Sequence, residues 1–228
     1  MNMKKSVTVL FLLFLFSLSL SLAQHKEKSV EMTPLLTWEM FDSETGVDDT
    51  PLLGLKLGFN FSKHLEGEFV YSLGTINSDS FQIINEDVRY LDADEDDDIA
   101  HWSANFVFNF KPIKEKFIPY AEGGMGRLRI KRTYNVWSDN PGTGATEYVG
   151  RWIDSQSSPS YLFGGGFRYY FKKRFAFRLE VAGVQYHHDV TGLTFDGSND
   201  EYYFTTTDSN LFNIKTSLGF SILFGGKE

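Results

Sequence analysis

The sequence predicts an all-β fold, an eight-stranded antiparallel up-and-down transmembrane β-barrel whose outer surface faces lipid. Two observations carry this prediction. First, runs in which every second residue is apolar end at Phe61, Phe110, Phe171 and Phe224, and a short basic turn follows each of the first three. Second, the 22 Phe and 11 Tyr are too many for one side of a small sandwich core, and they fall at alternate positions.

The first residues have the composition of a secretory signal peptide. Lys4 and Lys5 give a charged start, residues 7–22 are mostly apolar, and small residues precede Gln24. This pattern predicts a signal peptide at 1–23 and one mature domain at 24–228. An uncleaved membrane anchor is the alternative, but Ser residues dilute the run, and a spanning helix needs about 20 predominantly apolar residues.

The overall composition excludes several classes of protein. The chain has no Cys, so neither disulfides nor a lipoprotein anchor is expected. Its net charge of −8 argues against nucleic acid as a partner. Residues 24–228 contain no second long apolar run, so the sequence predicts no transmembrane helix there.

The last strand shows the alternation most clearly. Between residues 213 and 224, one parity is apolar except for Thr216, and the other is small or polar except for Leu223. Side chains alternate across a strand, so one face is apolar and the other is not. A tilted strand of this length rises roughly 30 Å, which matches an apolar band about 25 Å tall and exceeds a typical soluble strand of about six residues.

The same test predicts eight strands, an even number as expected for a bacterial barrel. Their ranges are 32–41, 52–62, 64–74, 101–110, 117–131, 158–171, 174–187 and 211–224. A soluble lipocalin-like barrel is the alternative fold. It would need an apolar interior, whereas here the charged residues share their parity with small Gly and Ser residues, which favours a polar lumen.

The fifth predicted strand does not keep a single phase. If Arg127 and Arg129 face the lumen, Leu128 faces lipid, but the same parity turns Glu122 outward. A bulge at Gly123 and Gly124 would reset the phase.

The connections alternate between short and long. Short basic turns surround Lys63, residues 111–116 and residues 172–174, and longer connections span 42–51, 75–100, 132–157 and 188–210. Three of the longer ones are acidic. Short turns are periplasmic and long loops extracellular in membrane barrels, so the acidic rim is expected outside.

Three segments resemble the outer-membrane β-barrel protein family, which includes the membrane domain of outer membrane protein A and the outer membrane protein X group. These segments are 54–61, 119–126 and 163–171. The resemblance covers nearly all of the mature region. It implies a porin-family barrel, monomeric, in the outer membrane of a Gram-negative bacterium, with lipids and lipopolysaccharide around it.

The last strand is also similar to the signal that the barrel-assembly machinery reads in this family. Ser217, Gly219, Ile222 and Phe224 match the pattern polar-x-Gly-x-x-apolar-x-aromatic. The tail 225–228 departs from it, since such chains commonly end at the aromatic residue. No peptidoglycan-binding domain follows the strand, so the cell-wall tethering role of outer membrane protein A is not expected.

The strand parity places a network of charged residues in the lumen. Its members are Glu39, Lys56, Glu66, Glu68, Arg127, Arg129, Arg168, Arg178, Glu180 and Lys215. An ion path and a salt-bridged plug are the two interpretations. Eight strands leave an interior just wide enough for side chains to fill it, and unpaired charges there are costly, so the plug is favoured.

An acidic run from Asp92 to Asp98 begins like a calcium loop. Its sixth position is Asp97 rather than Gly, and its twelfth is Ser103 rather than Glu. The turn and the bidentate ligand are therefore both missing, which favours a solvated loop. Weak binding of divalent cations beside lipopolysaccharide is the alternative.

His187, His188 and Asp189 lie together at the end of the seventh predicted strand. Barrel enzymes that modify lipid A need a Ser and a His with an acidic orienting group, and the deacylases place Ser shortly after His. Here Val190 and Thr191 follow instead. Successive strand residues also point to opposite faces, so the two His do not suit one metal ion. We assign no catalytic residue, cofactor or metal.

Aromatic residues recur in two of the longer connections, among them Tyr134, Trp137, Tyr148, Trp152, Phe195, Tyr202, Tyr203 and Phe204. They indicate either a binding surface for an extracellular ligand or side chains that cover the barrel mouth or form extended hairpins. The expected function is therefore structural or surface-interacting and not enzymatic. A narrow channel for small solutes and a lipid A-modifying enzyme are the alternatives.

Overall fold

A computed structural model describes residues 28–45, 47–76, 90–93, 97–112, 115–139, 146–196 and 201–225. The predicted signal peptide at 1–23 and the end of the tail at 226–228 lie outside the described residues. The strands are β1 (Ser29–Met40), β2 (Thr50–Asn60), β3 (Leu65–Ile76), β4 (Tyr90–Ala93), β5 (Asp97–Asn109), β6 (Phe117–Asp139), β7 (Thr146–Lys172), β8 (Phe175–Asp196) and β9 (Glu201–Gly225).

The strands form one closed antiparallel ring. Each long strand pairs with the next long strand along the chain, and β1 pairs with β9 from Ser29↔Gly225 to Met40↔Ile214. Of the described strands, only β4 stands apart from the ring, because it pairs with the far end of β6 alone. Closure leaves no unpaired edge in the described part of the ring that hydrocarbon surrounds, as a membrane-spanning sheet requires. The predicted eight-stranded barrel is confirmed.

Helical structure is limited to one 3-10 turn, Ser43–Thr45, among the described residues. No helix in the described ranges is long and apolar enough to cross a bilayer.

Apolar side chains cover the outside of the ring. In β1 the residues alternate strictly between buried and more exposed positions, and β5 does the same. Phe59 and Phe106 stand on the outside, and Phe106 keeps 75% of its surface exposed. Phe171, Phe177 and Phe220 pack against each other there, with ring centroids 5.1–5.9 Å apart. The hydrophobic effect therefore holds this surface in lipid rather than in a core.

The predicted phase of the fifth strand is wrong. Its equivalent, β6, carries no bulge at Gly123 and Gly124, and its register with β7 shifts only between Val136 and Trp137. Glu122 lies inside the barrel at 6% exposure, and Leu128 lies inside at 1%.

Arg127 and Arg129 consequently face outward, and their prediction as lumen residues is also wrong. The prediction failed because it treated every charged residue as an inward one. That rule holds only where hydrocarbon surrounds the barrel, and it does not hold near the polar headgroups.

Two of the predicted loops, 132–157 and 188–210, are largely strand. β6 and β7 remain paired as far as Asp139↔Thr146, and β8 and β9 as far as Asp196↔Glu201. β4 adds a third strand to the first of these hairpins, from Ala93↔Tyr134 to Tyr90↔Trp137. We call the end of the barrel with these hairpins the outer end, since the opposite end has only short turns.

Candidate functional site

The centre of the lumen is built around Lys56. Its Nζ lies 2.6 Å from Glu180 Oε2, 3.3 Å from Glu122 Oε2 and 3.4 Å from Glu68 Oε2. All of these side chains are buried, and they come from β2, β8, β6 and β3. The inward positions of strands on opposite sides of the ring therefore meet at one ammonium group.

Two arginines extend this network. Arg178 contacts Glu68 through both terminal nitrogens, with Nη2 2.9 Å from Oε2, and its Nε lies 3.1 Å from Glu180. Arg168 Nη2 lies 2.6 Å from Glu66 Oε2 and 3.0 Å from Glu68 Oε1. Paired, hydrogen-bonded charges of this kind fix a single arrangement of the interior.

Tyr120 completes the network on the β6 side. Its hydroxyl accepts a hydrogen bond from Arg178 Nε at 2.8 Å and donates one to Glu180 at 2.9 Å. The guanidinium carbons of Arg178 and Arg168 stand 4.6 and 5.0 Å from its ring centre, which is within cation–π range. Gly166 leaves the room for it, because a Cβ there would lie 2.8 Å from the Tyr120 hydroxyl.

Carboxyl groups outnumber cations in this central network. Arg168 Nε also lies 3.4 Å from Glu31 Oε1, which adds a fifth acid. The acids are Glu31, Glu66, Glu68, Glu122 and Glu180, and the cations are Lys56, Arg168 and Arg178. Loss of one cation therefore increases the excess of carboxyl groups over cations, whereas loss of one acid reduces it.

A second polar group lies nearer the outer end. Lys215 Nζ is 3.1 Å from Glu39 Oε2 and also contacts Nδ1 of His101. His101 Nε2 is 3.0 Å from the hydroxyl of Ser160. Since the ammonium group donates to Nδ1, the imidazole proton is on Nε2, and Ser160 accepts its hydrogen bond.

A small cavity separates the two polar groups. Its volume is about 20 Å³, and Lys56, Glu180, His101 and Lys215 are among the residues that line it. This space is about enough for a single water molecule. Asn105, which also lines it, has a buried side-chain amide without a hydrogen-bond partner among the described residues.

Apolar residues fill the lumen beyond the second polar group. The cluster consists of Leu52, Ile76, Ile99, Leu128, Ile130, Leu162, Ala182, Val184, Tyr186 and Leu211. Phe41 and Val47, from the connection between β1 and β2, pack against it, and Arg132 Nη2 holds that connection by the carbonyl of Thr45 at 2.8 Å. A smaller apolar cluster closes the other end with Ile118, Tyr170, Ala176 and Leu223.

The structure brings eight of the ten predicted lumen residues inside the barrel. Six of these form the central network, and Glu39 and Lys215 form the outer polar group. Sequence reasoning missed Glu31, Tyr120 and Glu122. Glu31 shares the inward parity of Glu39, so its position alone was a sufficient signal, whereas the phase error on β6 hid Tyr120 and Glu122.

The predicted assembly-signal residues lie at the end of β9 opposite the hairpins. Ser217 and Gly219 point inward, and Ile222 and Phe224 are half-buried on the outside. Their role in assembly stays a prediction.

Residues 94–96 of the acidic run lie outside the described residues, and Asp92 pairs with Asn135 of β6. Asp97 is buried and accepts a hydrogen bond from the backbone amide of Thr133 at 2.5 Å, and Ser103 points into the lumen. Within the described ranges no group of His, Asp and Glu could hold a metal ion. His187 is exposed on β8, and the side chains of His188 and Asp189 lie outside the described part.

The sequence matches the family model for the outer membrane protein beta-barrel domain over residues 8–220. The chain belongs to this family. Its members are proteins of the bacterial outer membrane, so the lipid outside this barrel is that of the outer membrane. None of the curated proteins matches the sequence.

The chain is also similar to several solved structures at low sequence identity. The chain is similar to the outer membrane protein OprG from Pseudomonas aeruginosa, with 14% identity, 90% of this chain and 100% of that chain covered, and a TM-score of 0.48. It is similar to Ail, the attachment invasion locus protein of Yersinia pestis, at 14% identity, 88% and 99% coverage and a TM-score of 0.43. It is also similar to the outer membrane protease OmpT from Escherichia coli, at 10% identity, 90% and 99% coverage and a TM-score of 0.44.

Proposed function

We propose that this protein is a non-enzymatic, closed outer-membrane barrel. Its role is structural or surface-interacting, through the hairpins at its outer end. The observation that carries the proposal is the filled lumen, with apolar clusters at both ends and paired charges between them. The signal peptide at 1–23 directs export, the barrel-assembly machinery inserts the chain, and the monomer lies among lipids and lipopolysaccharide.

The central ion pairs oppose conduction. Lys56, Arg168 and Arg178 each contact two or more carboxylates, and every one of these groups is buried. An ion that passes would have to separate these pairs, and breaking one buried pair costs about 3–5 kcal/mol. It would then have to enter the apolar cluster at the outer end.

The contact between His101 and Ser160 does not favour hydrolysis. A nucleophilic Ser donates its proton to the imidazole, whereas here the imidazole donates to the Ser because Lys215 occupies Nδ1. Both side chains are also buried within the lumen, away from any lipid substrate. This argues against the lipid A-modifying alternative.

The outer hairpins support the surface-interaction part of the proposal. From Lys131 to Asp139, β6 continues for about 25 Å of strand past the last outward arginine. Trp137 and Tyr148 pack edge to face across this hairpin with ring centroids 5.4 Å apart, and Ile153 is exposed further along the same hairpin. Rigid, partly exposed aromatic side chains of this kind suit contact with an extracellular ligand.

Conductance in planar bilayers tests the proposal. We expect the purified, folded barrel to give no stable current steps, and a heat-dependent shift on a detergent gel verifies that the inserted protein is folded. Steady, reproducible steps would favour the narrow channel, for which the polar cavity near Lys56 is the supporting observation. Mass spectrometry of lipid A from cells with and without the protein tests the enzyme alternative, and we expect identical spectra.

A further inference from the structure

The outward-facing arginines of β6 begin where its lipid-facing surface ends. Met125 is 65% exposed on the outside, and the next outward positions are Arg127 and Arg129. From Phe117 to Arg127 a tilted strand rises about 25 Å, which is the height of the apolar band. Arg127 therefore lies at the outer edge of the hydrocarbon.

Aromatic residues on the neighbouring strands also indicate that Arg127 lies near the outer edge of the hydrocarbon. Arg127 is in register with Trp102 of β5, which is in register with Tyr71 of β3. Trp and Tyr are enriched at the level of the lipid headgroups. Two residues further out, Arg129 is in register with Ala100, whose small side chain leaves room beside it.

This room is an open groove of about 410 Å³ on the outside of the barrel. Tyr71, Leu73 and Ala100 line its apolar part, and Asp98, Arg129 and Lys131 line its polar part. An apolar channel that leads up to cations matches a lipid whose acyl chain lies below a negatively charged headgroup.

The guanidinium groups have spare hydrogen-bond donors. Among the described residues Arg127 makes no hydrogen bond or ion pair, and Arg129 makes only a long one, from Nε to Ser155 Oγ at 3.4 Å. Lys131 Nζ lies 3.7 Å from Asp98 on the exposed surface, where such a pair contributes little. The patch is positive, although the outer connections of the chain are acidic.

We propose that Arg127, Arg129 and the groove beside them form a binding site for a phosphorylated glycolipid of the outer leaflet. The planar guanidinium groups bind a phosphate through paired hydrogen bonds, and an acyl chain lies along Leu73 and Ala100. The site makes one sector of the wall selective for a phosphate-bearing lipid, whereas the rest of the outer surface takes any acyl chain.

The test uses the full-length folded protein in a zwitterionic detergent, with lipid binding measured by native mass spectrometry. The probes are lipid A with its phosphates, the same lipid A without them, and inorganic phosphate as a competitor. We expect the phosphorylated lipid to bind about tenfold or more tightly than the dephosphorylated one, because charge-assisted hydrogen bonds are lost with the phosphates. Equal binding of the two lipids, or displacement by millimolar inorganic phosphate, would overturn the proposal.

Variants locate the site. The double substitution Arg127→Gln and Arg129→Gln should abolish the preference for the phosphorylated lipid. Its matched control, Lys172→Gln and Lys173→Gln, removes the same charge at the opposite end of the barrel and should keep that preference. If the control loses it and the arginine variant keeps it, the proposed position is wrong. The comparison of the two lipids on the unaltered protein needs no variant to fold.

Discussion

The lower and upper halves of β6 place charge in opposite environments without any change of parity. Glu122 points inward and lies 3.3 Å from Lys56 in a closed lumen. Arg127 and Arg129 point outward, and the inward positions at their level are held by Leu128 and Ile130. Charge in this barrel is therefore sorted by height in the membrane as well as by face. Along β6, the outside becomes polar and the inside becomes apolar near the outer leaflet.

The largest loss of stability is expected from Arg178→Met, which changes the lumen. Removing this cation leaves Glu68 and Glu180 partly unpaired in the lumen, and losing one partner of a buried pair costs about 3–5 kcal/mol. Urea unfolding in lipid vesicles, followed by tryptophan fluorescence, measures the change. The matched control is Arg129→Met on the outer wall, and equal losses of stability in the two variants would contradict the different environments of the lumen and the outer wall.

Tyr120→Phe should have an intermediate effect. The variant keeps the ring between the two guanidinium groups but removes the hydroxyl that bonds Arg178 and Glu180. A buried group left without its partner costs about 1–3 kcal/mol. The same unfolding experiment checks this, with Tyr161→Phe on the lipid face as the control. A change below about 0.5 kcal/mol, typical of surface substitutions, would mean that the hydroxyl is dispensable.

Glu122→Gln should cost less than the loss of a cation. Lys56 keeps its contacts with Glu68 and Glu180, and the central network has more acids than cations. We expect a loss of up to about 1 kcal/mol, the net value of an ordinary hydrogen bond. A loss as large as that of Arg178→Met would show that the central network has no surplus of negative charge.

The smallest effect is expected from Arg127→Leu. Near the membrane interface a lipid-facing arginine costs about 0–1 kcal/mol relative to an apolar residue, so the barrel should be unchanged or slightly more stable. Unfolding in vesicles without phosphorylated lipid isolates this effect from any bound ligand. A marked loss of stability under those conditions would place Arg127 in a structural contact instead.

Strand alternation was sufficient to predict the ring and most of the lumen residues. In β9, for example, Ile214 and Leu218 face lipid while Lys215 and Ser217 face inward, as the sequence indicates. The reason is that hydrocarbon outside and a narrow interior impose opposite requirements on adjacent residues.

The features that alternation did not predict depend on height or on distant partners. Leu52 and Ile99 face inward because they meet other apolar residues at the outer end, which no local pattern reveals. The paired segments beyond Lys131 and Tyr186 lie above the membrane, where no lipid enforces the apolar and polar alternation. β4 forms only because the edge of β6 is available to it.

The central network joins parts of the chain that are far apart in sequence. Lys56 and Glu180 are separated by 124 residues, and Arg168 and Glu66 by 102. These contacts cross the lumen between strands that are not neighbours, so they are absent from any intermediate whose sheet has not yet curled toward closure. Interactions made after the transition state slow unfolding more than they speed folding. The network should therefore slow the unfolding of the inserted barrel and so prolong its lifetime.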